Sequence, residues 1–296
     1  MAEVIAIIAP GEMGSAVGRR LHEHGARVIT SLAGRSAASV KRAQNAGFIA
    51  VGSDDELVAQ ADFILSIVPP GDAIALAERL RPSLVRAQKR KPIYMDCNAV
   101  APTTAERIGA IIAETGSRYV DAGIIGGPPS ASAPGPKFYV SGESAKAAEK
   151  LAAYGLTVRV LDGPLAAASA LKMSYAGITK GLTAIGATMM LSAWRAGCAE
   201  ALHREMGESL PQILAWLSRQ VPKMYPKAYR WVAEMEEISA FLAADPAGHE
   251  IYQGTARFYE RLAKEFAESG VQAEELELLT RFCTEMFEAS SVRKSA

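Results

Sequence analysis

Lys172 stands in a stretch, Leu165 to Trp194, that carries only two charges, its own and that of Lys180. Burial in such a helix disfavours an ammonium, and a lysine so tuned can trade protons with a substrate oxygen near neutral pH. At helical spacing Tyr175 (i+3), Ala176 (i+4) and Thr179 (i+7) share its face, so Tyr175 is a candidate proton-transfer partner. Lys180 points roughly 80° away. The competing reading is a lysine whose stem lies along an apolar interface while its head stays in water.

Five further segments hold groups that could bind a ligand. Ala9-Pro10-Gly11-Glu12-Met13-Gly14 follows an apolar run and opens a helix. Such a turn brings backbone N–H groups and a helix N-terminus close to a pyrophosphate, so Gly11, Glu12, Met13 and Gly14 are candidate cofactor contacts. Ala9 replaces the expected first glycine of the G-x-G-x-x-G pattern. About 20 residues on, a carboxylate that would bond a ribose 2′-hydroxyl is missing, because none occurs between Glu23 and Asp54. Gly34-Arg35-Ser36 stands there instead, and a guanidinium suits a 2′-phosphate, favouring NADP(H) over NAD(H). A solvated Arg35 at the start of the next helix is the plain alternative.

Val68-Pro69-Pro70 forces a loop exit after a strand, where the ligand crevice of a doubly wound sheet lies. In Asp96-Cys97-Asn98-Ala99-Val100-Ala101-Pro102, Asn98 offers donors and an acceptor to a ribose, nicotinamide or substrate, or caps the helix at Pro102. In Asp121-Ala122-Gly123-Ile124-Ile125-Gly126-Gly127, the glycines could present N–H groups to a substrate oxygen, or form an ordinary turn. These segments make Asn98, Gly123, Ile125, Gly126 and Gly127, with Lys172, the candidate substrate and catalytic contacts.

The elements that must position these residues alternate in the first half. Strands are predicted at Val4–Ile8, Arg27–Ser31, Phe63–Ile67, Ile93–Asp96, Tyr119–Ala122, Phe138–Ser141 and Thr157–Val160. Helices begin near Gly14, Ala37, Asp55, Asp72, Pro102 and Ser144. Gly126 to Pro136 reads as an ordered loop. Beyond residue 164 only helices are predicted: 165–196, 198–220, 223–243, 248–269 and 272–289. The fold class is therefore α/β, with an N-terminal Rossmann doubly wound sheet (1–164) followed by an all-α C-terminal domain (165–296).

Composition narrows the function classes. The 32 basic and 32 acidic residues cancel, so global charge offers nothing to nucleic acid or a membrane surface. A lysine within 165–194 would cost about 3 kcal/mol in a bilayer, which argues for a helix buried in protein, including between two subunits. Cys97, Cys198 and Cys283, and the four scattered histidines, lack metal-ligand spacing, so no metal site is expected. Reduced thiols, and Glu3 where a leader would carry positive charge, point to a cytoplasmic location.

Taken in order, these segments resemble the β-hydroxyacid dehydrogenase superfamily, which includes 6-phosphogluconate dehydrogenase, 3-hydroxyisobutyrate dehydrogenase and the imine reductases. Residues 9–14 resemble its Gly-x-Gly-x-Met-Gly cofactor turn. Ser66-Ile67-Val68-Pro69-Pro70 is similar to its cofactor-contacting strand end, and residues 96–102 to its Asp-x-Ser-Thr-x-x-Pro segment, with Asn98 as in the phosphogluconate branch. Residues 121–127 resemble the substrate loop Asp-Ala-Pro-Val-Ser-Gly-Gly, and Leu171-Lys172 falls where the catalytic-lysine helix begins.

The resemblance implies an NADP(H)-dependent oxidoreductase that interconverts a small, hydroxy acid-like alcohol and its carbonyl by hydride transfer, with Lys172 as the proton shuttle. Three departures stand out. Ile125 replaces a carboxylate-binding serine, Tyr175 and Ala176 stand where an asparagine follows the lysine, and a later Lys-Asp motif is absent. Lys172–Gly181 and Lys227–Ile238 resemble a divergent subgroup whose C-terminal domain is of unknown function. Imine reduction with Tyr175 as donor, and a non-catalytic NADPH sensor, are the alternatives. Tyr225, Trp231 and Glu234 are candidate contacts there, although Trp231, Met235 and Ile238 also form a core stripe. A homodimer through the helical domain is expected.

Overall fold

The computed structural model describes residues 2–87, 90–130 and 135–292. Strand and helix alternate through β1 (Val4–Ile8), α1 (Glu12–Glu23), β2 (Arg27–Ser31), α2 (Ala37–Asn45), β3 (Ile49–Val51), α3 (Asp54–Gln60), β4 (Phe63–Ser66), α4 (Ala73–Arg86), β5 (Ile93–Asp96) and α5 (Pro102–Ala113). Then come β6 (Arg118–Ile125), β7 (Lys137–Ser141), a 3-10 segment at Ala145–Tyr154 and β8 (Thr157–Val160). The eight strands form one sheet in the order β3-β2-β1-β4-β5-β6-β7-β8, parallel except where β6 meets β7.

Period-two alternation explains why both faces of this sheet are covered. In β1, Ala6 and Ile8 face the core formed with Leu57 of α3, Leu80 of α4 and Ile108 of α5. Ile5 and Ile7 face the other core, with Val17 and Leu21 of α1, Phe138 and Leu151. The strand order reverses between β1 and β4, the place where doubly wound sheets open a ligand crevice at the carboxyl ends of their strands. Register aligns those ends: Ile8 pairs with Ser66, Ser66 with Asp96, and Asp96 with Asp121. Thus the turn after β1, the loop after β4 and the Asn98 segment all leave the sheet from one row.

Several elements depart from the sequence expectation. β3 was not predicted, because three residues at a sheet edge are too few for a pattern. β6 runs past Ala122 to Ile125, since Gly123, Ile124 and Ile125 pair with Tyr139, Phe138 and Lys137 of β7. The segment expected as a helix from Ser144 is 3-10 and ends at Gly155 in the left-handed conformation, φ +82°. Of the loop from Gly126 to Pro136, residues 131–134 lie outside the described residues.

The helical part comprises α6 (Ala167–Arg195), α7 (Ala199–Ser209), α8 (Pro211–Gln220), α9 (Ala228–Phe241), α10 (Pro246–Ser269) and α11 (Glu274–Val292). The predicted helix 198–220 is two, because Pro211 lacks an N–H and starts a new helix. Pro222 and Pro226 each sit in a 3-10 turn, which delays α9 to Ala228.

By its internal contacts the chain divides into residues 1–173 and 174–296, a boundary inside α6. In the second unit α9 packs against α10, and Met235 and Ile238 of the first and Tyr259 and Leu262 of the second are buried. Tyr175, Ile178, Leu182, Ile185 and Met189 form an exposed apolar stripe along α6. Among the described residues no helix is long and apolar enough to cross a membrane.

Candidate functional site

The turn after β1 depends on unusual backbone. Ala9 has φ +62°, the one non-glycine in the left-handed region among the described residues. It holds this conformation where the motif would place glycine, and the Gly11 N–H donates to its carbonyl at 2.7 Å. A side chain at Gly14 would put Cβ 2.7 Å from that same carbonyl, so only glycine allows α1 to start this close to β1. Gly11 caps α1 without any side-chain acceptor, which leaves N–H groups of the first turn pointing outward at the positive end of the helix. That combination fits a dinucleotide pyrophosphate. Glu12 is exposed, whereas Met13 packs on the core beside Val17.

At the end of β2, Gly34 takes φ +70° and lets the chain turn so that the Arg35 N–H reaches the Leu32 carbonyl at 3.1 Å. Ser36 caps α2, its hydroxyl accepting the Ser39 N–H at 3.3 Å. Arg42, which the sequence reading missed, reaches back from α2 to the first turn: Nε donates to the Pro10 carbonyl at 3.0 Å and Nη2 to Ser39 Oγ at 3.0 Å.

Asn98 is buried, and its carboxamide ties the strand ends together. Oδ1 accepts the Val68 N–H at 2.7 Å, while Nδ2 donates to Ser66 Oγ at 2.8 Å and to Asp96 Oδ1. It does not cap α5, whose cap is Ala101 with no side-chain bond. Asn98 therefore sets the path of Val68 and Pro69 as they leave β4. Asp96 also accepts from the Asn98 N–H and the Tyr119 hydroxyl. Full burial, reinforced by the nearby Asp121 charge, pushes its carboxyl up to about 7 against the pull of those donors.

Asp121 joins the sheet to α6. Its Oδ1 accepts the Ser169 hydroxyl at 2.6 Å, and Oδ2 accepts the Ser169 N–H at 2.9 Å and the Ser141 hydroxyl at 3.0 Å. Ser141 Oγ in turn accepts the Ala168 N–H at 2.9 Å. Burial raises the Asp121 carboxyl, and these hydrogen bonds hold it back. The first turn of α6 is thus capped by β6 and β7, an anchoring 48 residues apart in sequence that no local signal announces.

One turn further along α6, the half-buried Lys172 donates from Nζ to the Ile124 carbonyl at 2.9 Å. Gly123 makes this approach possible, since a Cβ there would lie 2.7 Å from the Ala168 carbonyl and 3.0 Å from Lys172 Cβ. Gly123 is buried in β6 beneath the helix, so its visible part is close packing. Ile125 is half-buried, and Gly126 (φ +127°) and Gly127 are exposed just beyond. The structure brings Lys172, Gly123 and Ile125 to one strand end, and Asn98, Val68 and Pro69 to neighbouring ones.

In the second unit Tyr175 is half exposed. Glu234 forms an ion pair with Lys180, whose ammonium also lies 5.1 Å from the Trp231 ring centroid. Trp231 packs edge-on against Tyr259, and Tyr225 is buried beside Phe266. These groups are engaged within the helical unit itself.

A family model described as the NAD binding domain of 6-phosphogluconate dehydrogenase matches residues 4–162. The chain belongs to that family. A second model, a domain of unknown function, matches residues 193–262. Among solved structures, a conserved protein of unknown function, described as structurally similar to 3-hydroxyacid dehydrogenases, is 27% identical, with a TM-score of 0.67 over 88% of this chain and 97% of the other. The 3-hydroxyisobutyrate dehydrogenase of Mycobacterium tuberculosis, solved with L-serine, is 19% identical and covers 95% and 99% of the two chains, with a TM-score of 0.72. An imine reductase from Myxococcus stipitatus in complex with NADP+ is 17% identical and covers 94% and 99%, with a TM-score of 0.55. The fold is therefore the one shared by hydroxyacid dehydrogenases and imine reductases.

Proposed function

We propose that this protein is an NADP(H)-dependent oxidoreductase that interconverts a small, hydroxy acid-like alcohol and its carbonyl, with Lys172 as the proton shuttle. The observation that carries this reading is the placement of Lys172 Nζ at the end of β6, bonded to the Ile124 carbonyl on a helix anchored by Asp121. Oxidation removes a hydride from the alcohol carbon and a proton from its oxygen, and reduction returns both. A bound nicotinamide supplies or accepts the hydride. Lys172 takes the proton from the alcohol oxygen or delivers it to the nascent alkoxide. As the ammonium, its bond to Ile124 uses one of three N–H donors and leaves the others for the alkoxide oxygen; as the neutral amine, its lone pair takes the alcohol proton.

Gly11, Glu12, Met13 and Gly14 would cradle the pyrophosphate, with Arg35 and Ser36 at the adenosine ribose. Val68 and Pro69, held by Asn98, would border the nicotinamide half, and Gly126 and Gly127 would lie along the substrate.

Imine reduction is the second reading, and Ile125 favours it. Where the hydroxyacid enzymes are expected to place a serine for a substrate carboxylate, this chain has a hydrocarbon. Tyr175, half exposed on α6, is the proton donor in that version. The exposed stripe from Tyr175 to Met189 supports a homodimer built on α6. A cytoplasmic location also belongs to this reading.

A panel of aldehydes, keto acids and cyclic imines, followed by NADPH absorbance, tests the proposal. Oxidation of NADPH with carbonyls supports the leading reading, and with imines alone the second. Tight NADPH binding with no turnover across the panel would leave a cofactor-binding sensor instead.

A further inference from the structure

The geometry points to Arg42 as a residue that selects the phosphorylated cofactor, by contacting the 2′-phosphate of NADP(H) together with Arg35. This inference rests on the NADP(H) reading above and adds to it a residue outside the Gly34-Arg35-Ser36 motif.

Arg42 is exposed on α2, and its side chain runs toward the N-terminal end of that helix, as helical side chains do. Two bonds fix where its guanidinium sits. Nη2 meets Ser39 Oγ in the first turn of α2, and Nε meets the carbonyl of Pro10, inside the turn that opens α1. The cation is therefore held between the two segments that flank an adenosine ribose in a Rossmann unit, namely the glycine turn and the end of β2. It spends two of its five N–H donors on these neutral oxygens, and the rest of the planar fork remains for an anion.

Its electrostatic setting favours an anion as well. No carboxylate among the described residues pairs with Arg42, and the sequence from 24 to 53 contains none. Arg35 and Ser36 lie at the same end of α2, whose N-terminus adds positive potential. A 2′-hydroxyl has no charge for this cation to meet, whereas a 2′-phosphate does. Arg42 thus acts on cofactor choice and Pro10 holds it ready.

A purely structural part for Arg42, as a tie for the turn, makes a different prediction. Losing the tie would loosen the pyrophosphate site and weaken NAD+ and NADP+ alike. Calorimetric titration of the full-length protein with each cofactor separates the two. Arg42→Ala should weaken NADP+ by about 10- to 100-fold, the loss expected for a charge-assisted pair, and leave NAD+ within about twofold. Arg42→Lys, which keeps the charge but loses the fork, should fall between. An equal loss for both cofactors, or no loss for either, overturns the inference while the NADP(H) reading stands. Wild-type protein that binds NAD+ more tightly than NADP+ overturns that reading, and the inference with it.

Discussion

The ammonium of Lys172 and the carbonyl of Ile124 lie 2.9 Å apart, joining the helix that leaves the sheet to the last residues of β6. The lysine does not reach that position alone. Asp121, three residues before Ile124, holds Ser169, three residues before Lys172, through both its carboxylate oxygens. The two contacts form adjacent rungs between one strand and one helix, with Gly123 giving the clearance.

Removing the lower rung should therefore cost stability as well as alignment. Asp121→Ala leaves the Ser169 N–H and hydroxyl short of a buried acceptor, while the Ser141 hydroxyl keeps the Leu165 carbonyl, at about 2–4 kcal/mol. Urea unfolding should show a clearly lower midpoint than wild type. A midpoint within error of wild type would remove Asp121 as the anchor of α6.

Asp96 makes stability depend on pH. Its folded carboxyl titrates at about 7, above the usual carboxylate range, so the folded state holds a proton that the unfolded state releases from about pH 4 upward. Its stabilising contribution is complete below pH 4 and is lost as pH rises toward 7. Burial moves Asp121 in the same direction. Relative to Asp96→Asn, which cannot titrate, wild type should lose stability between pH 5 and 7.5 in chemical denaturation. Parallel pH profiles for the two proteins would contradict the assignment.

Ala9 stores strain that glycine would release. A left-handed non-glycine costs roughly 1–2 kcal/mol, and the added freedom of an unfolded glycine returns about half of that. Ala9→Gly should stabilise the protein by about 0.5–1 kcal/mol in urea unfolding with cofactor affinity kept. Destabilisation would show that the Ala9 methyl makes contacts that outweigh its φ of +62°.

The stripe on α6 predicts self-association. Wild-type protein at micromolar concentration should scatter light as a dimer, and Ile178→Glu with Ile185→Glu should shift it to monomer. A wild-type monomer would contradict the dimer.

Much of the sheet was legible because its central strands are nearly continuous apolar runs and the outer ones are β-branched segments bounded by turns. The bounds of β1, β2, β5 and β8 are those expected, and α2 and α5 start at the expected Ala37 and Pro102. What the chain hid was non-local. β6 gains its last residues from pairing with β7, and no periodicity in residues 118–125 records that partner. Asn98 stood out as a polar residue after a strand, yet its bonds go to Val68 and Ser66, some 30 residues earlier. The Asp121–Ser169 anchor and the reach of Arg42 to Pro10 likewise depend on how the helices settle on the sheet. Motif reading finds residues near a turn, and it passes over those that arrive from another element.

The most direct test of the account is Lys172→Ala, assayed with whichever carbonyl of the panel the wild-type protein reduces. The variant should bind NADPH as wild type does, by fluorescence titration, and lose kcat by about 10²- to 10⁴-fold, the usual contribution of a positioned proton donor. An unchanged kcat with intact NADPH binding would contradict the central claim and take Lys172 out of the mechanism.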